Sequence, residues 1–197
     1  MQKKLILITS PPACGKTTVA KALAKKLRHV VYLDKDTLIV LSRQIFAVAG
    51  QPYDRSSAFF KNNIRDYEYR AVLALALEAL AYDDIVLINA PFTKEVRDAA
   101  FLAELRGQLA QKNARLYVVW VVTDPEVCHQ RMIARGSDRD TWKLANWDAY
   151  LAQCDFSIPH EIENATREQD LLLFYNSTGE EFARSLRETA ARLEEEN

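Results

Sequence analysis

The sequence has few of the residues that build disulfide frameworks, zinc sites or membrane spans. Its 197 residues include three cysteines and three histidines, all widely spaced. Such cysteines indicate reduced thiols in a cytosolic protein, and the histidines fit no zinc-ligand spacing. No apolar run approaches the roughly 20 residues that a membrane helix needs, and the N-terminus does not read as a signal peptide. We therefore expect a cytoplasmic protein without a membrane partner.

An excess of charge of either sign is also absent. Lys and Arg total 26 and Asp and Glu total 27, so the formal net charge is −1. A near-neutral chain has no broad electrostatic footprint for duplex nucleic acid, although a local basic patch is compatible with this balance. We therefore do not expect nucleic acid as the partner. The length fits one domain over residues 1–197.

Apolar, β-prone runs alternate with helical patterns along the chain. The runs have little polar alternation, which is typical of strands covered on both faces, and they span residues 5–9, 30–33, 85–89, 116–122 and 171–176. Helices are predicted at 15–28, at 56–81 as one long helix, at 93–111 with Thr93 as cap, from Pro125 with Thr123 or Asp124 as cap, and after Gly179. This order predicts a three-layer α/β fold with a five-stranded parallel sheet and helices on both faces.

The stretch "SPPACGKTT" after the first run is nearly a phosphate-binding loop. The pattern G-x-x-x-x-G-K-[ST] between a strand and a helix is met by Gly15, Lys16 and Thr17, but Ser10 replaces its first glycine. Ser10 can do so if its φ stays negative, and Pro11 restricts it to extended geometry. The loop is therefore predicted to bind the phosphates of a nucleotide.

The loop also assigns individual contacts. Backbone N–H groups and the start of the following helix attract phosphate oxygens, which places the nucleotide on Pro12, Ala13, Cys14, Gly15, Lys16, Thr17 and Thr18. The Lys16 ammonium suits the β- and γ-phosphates, and the Thr17 hydroxyl suits Mg²⁺. Because Cys14 lies inside the loop, its oxidation is expected to block ATP binding.

This loop and the segments "YLDKDTL", "LINAPF" and "RMIARGSDRDTWK" together resemble the small P-loop kinases. The similar family is the ATP-binding, AAA-domain-like group that includes zeta-toxin-like, gluconate-kinase-like and polynucleotide-kinase-like domains. The resemblance extends over residues 4 to 180. It implies ATP and Mg²⁺ as cofactors and the sheet order 2-3-1-4-5. It also implies an arginine-bearing lid near residues 135–146 and an acceptor-side segment near residues 37–70.

Two carboxylates follow the second strand. Asp34 and Asp36 lie at its carboxyl end, the edge at which open α/β sheets bind ligands. Phosphoryl transfer needs a carboxylate to orient the acceptor hydroxyl, and in the resembling kinases an aspartate at the position of Asp36 has that role. We assign Asp36 as catalytic base and substrate contact, and Asp34 to Mg²⁺ or its bound water. The alternative is that either carboxylate only caps a helix starting near Thr37.

The third strand ends in Asn89, where Walker B strands usually end in aspartate. An asparagine brings no charge, so Mg²⁺ coordination would depend more on Thr17, Asp34 and Asp36. The chain also lacks the acidic pair of motor ATPases and the N-K-x-D motif of GTPases, which favours a kinase. Asn89 is equally compatible with a simple turn residue.

Arg131, Arg135 and Arg139 are spaced by four residues after the fourth strand. Guanidinium groups bind phosphate oxygens in bidentate fashion, and lids that carry them neutralise developing charge. The resemblance implies Arg131 near the adenine or α-phosphate, and Arg135 and Arg139 near the transferring phosphate. Arg65, four residues before Tyr69, is a candidate acceptor contact. For both arginine groups a solvated helix face is the alternative.

These patterns predict an ATP-dependent phosphotransferase that moves the γ-phosphate to a hydroxyl of a small-molecule acceptor. Two alternatives stay open. One is a nucleotide or polynucleotide 5′-kinase, which requires a basic groove leading to Asp36. The other is a non-catalytic, ATP-binding regulatory protein, which is suggested by Ser10 and Asn89.

Overall fold

The computed structural model of the chain describes residues 2–137, 140–160, 162 and 170–195. The strands of its sheet are β1 (Lys3–Thr9), β2 (Val30–Asp34), β3 (Ile85–Asn89), β4 (Ala114–Val122) and β5 (Leu171–Tyr175). They form a five-stranded sheet in the order β2-β3-β1-β4-β5, and every neighbouring pair is parallel. The predicted sheet and its order are confirmed.

Helices connect these strands. They are α1 (Lys16–Lys26), α2 (Ile39–Val48), α3 (Ala58–Asn63), α4 (Arg65–Ala79), α5 (Ala99–Ala110), α6 (Pro125–Arg135), α7 (Thr141–Ala145), α8 (Trp147–Gln153) and α9 (Gly179–Glu195). Short 3-10 turns are formed by Lys35–Leu38 and by Glu95–Arg97. No helix in the described part of the chain has the length and apolarity to cross a membrane.

Each face of the sheet has its own apolar core, because successive strand residues point to opposite faces. On one face Leu5 and Leu7 pack with residues of α4 and α5. On the other, Ile6 and Ile8 pack with residues of α1, α6 and α9. Continuous apolar strands are therefore buried on both sides, which is the predicted three-layer arrangement.

The prediction of one helix over residues 56–81 is wrong. The segment is divided into α3 and α4 at Ile64, whose φ of −127° and ψ of −46° interrupt the helical path. Ile64 and Phe60 of α3 pack on Phe46 of α2 in a small separate cluster, whereas α4 packs on the sheet. The helices α3 and α4 therefore pack on different surfaces, with the bend at Ile64 between them.

The prediction that Thr93 caps the next helix is also wrong. The helix starts later, at Ala99, and the Asp98 carboxylate caps it by accepting from the N–H groups of Ala100 and Phe101. Residues before it form the short 3-10 turn. The expected cap of α6 is confirmed as Asp124, which accepts from the N–H of Glu126.

Candidate active site

The carboxyl ends of the strands bring the predicted site residues to one edge of the sheet. In the strand register Asp34 lies beside Asn89, and Asn89 lies beside Ile8 of the central strand. The loop of residues 10–15 leaves that central strand and leads into α1. The phosphate loop and the two carboxylates of the second strand are therefore neighbours across a single short strand.

Ser10 adopts the geometry that the loop requires. The φ of Ser10 is negative, so Ser10 meets the condition for replacing the first glycine of the pattern. Its side chain is buried, and its hydroxyl donates to the carbonyl of Pro11 at 2.9 Å. The substitution therefore leaves the turn after β1 intact.

Further along the loop, two residues have a left-handed backbone conformation. Ala13 has a φ of 65° and Gly15 a φ of 84°. Alternation of left-handed and ordinary residues makes a backbone concavity whose N–H groups bind anions. A non-glycine residue held left-handed stores on the order of 1–3 kcal/mol of strain, which folded proteins keep mainly at functional sites. Ala13 fits a loop shaped for phosphate.

The carbonyl of Cys14 is held by donors from three other segments. It accepts from Thr123 Oγ1 at 3.0 Å, Asn176 Nδ2 at 2.6 Å and Arg131 Nη1 at 3.4 Å. Arg131 also donates to the carbonyl of Asn176 at 2.7 Å. Arg131 thus lies beside the loop, and its predicted contact with the nucleotide stays a prediction. Sequence analysis named Thr123 only as a possible helix cap and Asn176 only as the end of the fifth apolar run, and it missed their contact with the loop.

Around the side chain of Asn89 the structure brings together the candidate magnesium ligands. Asn89 Nδ2 lies 3.2 Å from Thr17 Oγ1 and 2.9 Å from Asp34 Oδ2, and Tyr32 donates to Asp34 at 3.0 Å. Asn89 Oδ1 is buried and lacks a hydrogen-bond partner among the described residues. Hydroxyl, carboxylate and amide oxygens are the ligands that Mg²⁺ prefers, so the residues present fit this cation.

Burial, followed by the charge of Asp34, raises the pKa of Tyr32 to about 12. Tyr32 therefore stays protonated and keeps its donated hydrogen bond to Asp34 at any physiological pH. Sequence analysis missed this residue because its type fits a strand without any further role.

Asp34 also fixes the turn that carries Asp36. Its carboxylate accepts from the N–H of Asp36 at 3.0 Å and caps the 3-10 turn. The Asp34 side chain therefore both caps the 3-10 turn and contacts Asn89. The Asp36 side chain is 56% exposed and contacts the Lys35 ammonium at 3.3 Å. The predicted base is thus accessible at the ligand edge of the sheet.

Lys35 belongs to a buried charge cluster that sequence analysis missed. Its ammonium lies 2.9 Å from Glu68, and Arg55 binds the same carboxylate at 2.7 and 2.8 Å. Ser42 also donates to Glu68. Burial raises the pKa of Glu68, but the bonds from Arg55, Ser42 and Lys35 outweigh it and lower the pKa to about 2. The carboxylate is therefore ionised at neutral pH.

Arg65 is engaged within the protein. It pairs with Glu95 at 2.6 Å and with Asp66 at 2.9 Å, and its guanidinium stacks 4.4 Å from the Tyr69 ring centroid. Tyr69 donates to the carbonyl of Pro91, which follows β3. Arg65 lies in the segment that was predicted as the acceptor side, and an acceptor would compete with two carboxylates for it. Its contact with substrate stays a prediction.

The region predicted as a lid contains a second buried carboxylate. Asp140 is fully buried and accepts from Arg135, with Arg135 Nε at 2.9 Å, and from Lys143 at 3.0 Å. Burial raises the pKa of Asp140, but these two partners hold the pKa below its ordinary value. Arg139 lies outside the described residues. The roles of Arg135 and Arg139 toward the transferring phosphate stay predictions.

Cys14 is buried within the loop, and its sulfur lies 3.5 Å from that of Cys128 on α6. The hydrogen bond from Cys128, assisted by bonds from Ser10 and the charge of Lys16, lowers the pKa of the Cys14 thiol despite burial. The sensitivity of ATP binding to Cys14 oxidation stays a prediction, and it concerns a buried thiol.

This combination of strand, anion-binding loop and helix, with carboxylates on the neighbouring strand end, defines a P-loop nucleotide-binding protein of the small-kinase type. Residues 5–156 match the family model described as AAA domain, and the chain belongs to that family. No curated protein matches the sequence.

Several solved structures resemble the whole chain. A protein from Chloroflexus aurantiacus j-10-fl, assigned as a kinase, has a TM-score of 0.60 at 18% identity and covers 99% of this chain and 98% of its own. A gluconokinase from Sinorhizobium meliloti 1021 has a TM-score of 0.54 at 16% identity, with coverages of 99% and 95%. Kti12 from Chaetomium thermophilum, solved with ADP-AlF3, has a TM-score of 0.55 at 19% identity, with coverages of 94% and 96%. At these identities the likeness shows the fold.

Proposed function

We propose that the protein transfers the γ-phosphate of ATP to a hydroxyl group of a small molecule. The observation that carries this proposal is the chain of contacts from Thr17 through Asn89 to Asp34, and from Asp34 to the N–H of Asp36. It ties the phosphate loop to an accessible carboxylate through two side chains. An acceptor hydroxyl at Asp36 would therefore lie close to the end of the nucleotide.

The phosphate loop would hold the nucleotide through the residues from Pro12 to Thr18. Backbone N–H groups from Ala13 onward would bind the phosphate oxygens, and the Lys16 ammonium would neutralise the β- and γ-phosphates. Thr17, Asp34 and Asn89 would hold Mg²⁺, directly or through water. When bound, this cation would supply positive charge that offsets the charge of the phosphates.

Asp36 would accept a hydrogen bond from the acceptor hydroxyl and aim its oxygen at the γ-phosphorus. The hydroxyl proton passes to the Asp36 carboxylate as the new P–O bond forms, and ADP leaves. Lys16, Arg135 and Arg139 would neutralise charge on the transferring group, with Arg131 nearer the nucleotide. Positioning and charge neutralisation supply most of the rate enhancement in such sites.

One specific observation favours a second candidate, a nucleotide-binding regulatory protein. Asn89 occupies the strand end at which a carboxylate usually serves Mg²⁺, and its amide donates to Asp34. A site with one fewer negative charge binds the cation more weakly, and phosphoryl transfer depends on that cation.

The test is an incubation of the pure protein with γ-labelled ATP, Mg²⁺ and pooled sugars, nucleosides, amino alcohols and antibiotics. We expect a labelled product that disappears in Lys16→Ala and Asp36→Asn. Asp83→Asn is the matched control, because Asp83 precedes β3 at the opposite edge of the sheet. Tight ATP binding without any Asp36-dependent product would favour the regulatory protein, and no ATP binding would exclude both.

A further inference from the structure

Lys35 is an unusual neighbour for an accessible carboxylate, because its own side chain is only 3% exposed. Its ammonium lies 3.3 Å from Asp36 Oδ1 and 2.9 Å from Glu68 Oε2. It also lies 5.6 Å from the centroid of the Tyr69 ring. A buried ammonium is tolerated only when it is paired, so this lysine is confined to one position.

Glu68 is what confines it. The Glu68 side chain is 4% exposed, and it receives Lys35, both terminal nitrogens of Arg55 and the hydroxyl of Ser42. These partners come from the 3-10 turn, from the loop before α3 and from α2. Glu68 itself lies on α4, which packs on the sheet. The carboxylate therefore joins the acceptor-side segment to the turn that carries Asp36.

Asp36 is held at two points, one on its backbone and one on its side chain. Asp34 fixes its backbone N–H at 3.0 Å, and Lys35 fixes one oxygen of its carboxylate. An aspartate that is more than half exposed would otherwise sample several rotamers. With one oxygen bound by Lys35, the other oxygen is left to receive the acceptor hydroxyl.

We propose that Lys35 is a positioning residue for Asp36 in the transfer reaction, and that Glu68 holds Lys35 in place. This inference rests on the proposed function, since it assigns a role only if Asp36 engages an acceptor. Lys35 is too buried to contact substrate, so it acts through Asp36. Movement of the acceptor-side segment reaches Asp36 by way of Glu68 and Lys35.

The test compares Lys35→Met, which keeps the length but removes the charge, with Lys35→Arg, which keeps the donors. Lys35→Met leaves Glu68 its partners Arg55 and Ser42, so we expect the variant to fold. We expect kcat for the acceptor found with labelled ATP to fall about 10- to 100-fold, the cost of a misplaced reacting group. The KM for ATP should change less than about threefold, and Lys35→Arg should restore most of kcat.

Lys4→Met is the matched control. Lys4 is also a buried lysine, but it lies at the start of β1, at the sheet edge away from the site. We expect this variant to lose stability and to keep kcat. If Lys35→Met and Lys4→Met lose stability alike and both keep kcat, Lys35 is only a structural residue and the proposal is overturned.

A second measurement is independent of the acceptor. In a crystal structure of Lys35→Met we expect the Asp36 carboxylate to occupy more than one rotamer, while Asp34 still binds the N–H of Asp36. A single, unchanged Asp36 rotamer overturns the positioning role. Absence of transfer by the wild-type protein would instead overturn the proposed function, and the rotamer result would still decide whether Lys35 orients Asp36.

Discussion

The amide of Asn176 lies directly against Gly15: a Cβ added at Gly15 would come within 2.4 Å of Asn176 Nδ2. That amide is itself held by the Cys14 carbonyl at 2.6 Å, so it cannot move without breaking a buried hydrogen bond. We predict that Gly15→Ala abolishes nucleotide binding, measured with a fluorescent ATP analogue. The unfolding free energy should also fall by about 2–4 kcal/mol, from the left-handed backbone and the lost bond.

Gly50→Ala provides the control for the backbone part of this effect. Gly50 is also left-handed, with a φ of 64°, but a Cβ there meets nothing within 4 Å. The variant should lose only about 1–2 kcal/mol of stability and bind nucleotide normally. Equal losses in the two variants would show that contact between Gly15 and Asn176 has no role.

Asn89→Asp should make the free protein less stable and more responsive to Mg²⁺. The new carboxylate would face Asp34, to which the amide now donates at 2.9 Å, and two such carboxylates cannot both ionise without cost. In EDTA we expect a loss of about 1–3 kcal/mol in unfolding free energy. Addition of Mg²⁺ and ADP should raise the melting temperature more for the variant than for the wild type.

An Asn89→Asp protein as stable as wild type in EDTA would argue against the close pairing of residues 34 and 89. An equal rise in melting temperature for both proteins with Mg²⁺ and ADP would place the cation elsewhere. The same titration with ADP in EDTA separates the effect of the cation from that of the nucleotide.

Glu68 predicts a specific loss of stability in acid. Its pKa is depressed from an ordinary value of 4.5 to about 2, so its stabilising effect is complete above 4.5. The effect is lost as the pH falls from 4.5 to 2, and it amounts to about 3 kcal/mol. At pH 7 Glu68→Gln should be less stable by about 3–5 kcal/mol, because Lys35 and Arg55 lose their counter-ion.

Urea unfolding at several pH values would measure this difference. Other carboxylates titrate in both proteins, so their effects on stability largely cancel. The difference in unfolding free energy between wild type and Glu68→Gln should therefore narrow as the pH falls. A difference in unfolding free energy that is constant from pH 7 to pH 3 would mean that the Glu68 pKa is not depressed.

Arg135→Met should slow phosphotransfer without weakening ATP binding. We expect the rate to fall at least about 100-fold, because arginines that neutralise the transferring phosphate contribute up to 10³–10⁵. Lys143→Met is the matched control, since Lys143 donates to the same buried Asp140 at 3.0 Å. If the phosphotransfer rate falls by the same factor in both variants, the effect comes from the loss of a partner of Asp140. It would then not come from a contact between Arg135 and the transferring phosphate.

The sequence predicted the sheet well because each strand is a continuous apolar run between turn residues. The strand–loop–helix order around residues 10–17 was also predicted, since its residues are contiguous and their spacing is diagnostic. Nucleotide binding by this loop stays a prediction. The bend at Ile64 was not predicted, because no proline or glycine marks it, and the packing of Ile64 on Phe46 leaves no local pattern in the sequence. The Lys35–Glu68 pair joins residues 33 positions apart, and such a pairing leaves no local pattern.

The carbonyl of Cys14 depends on a side chain 162 positions later in the chain. We expect this hydrogen bond to form late, after β5 has joined the sheet, because contacts of such long sequence separation form slowly. If the loop binds nucleotide as proposed, a nascent chain without Asn176 should bind ATP more weakly, because only Thr123 and Arg131 would then hold the Cys14 carbonyl. By linkage, bound nucleotide would in turn stabilise the docking of the last strand.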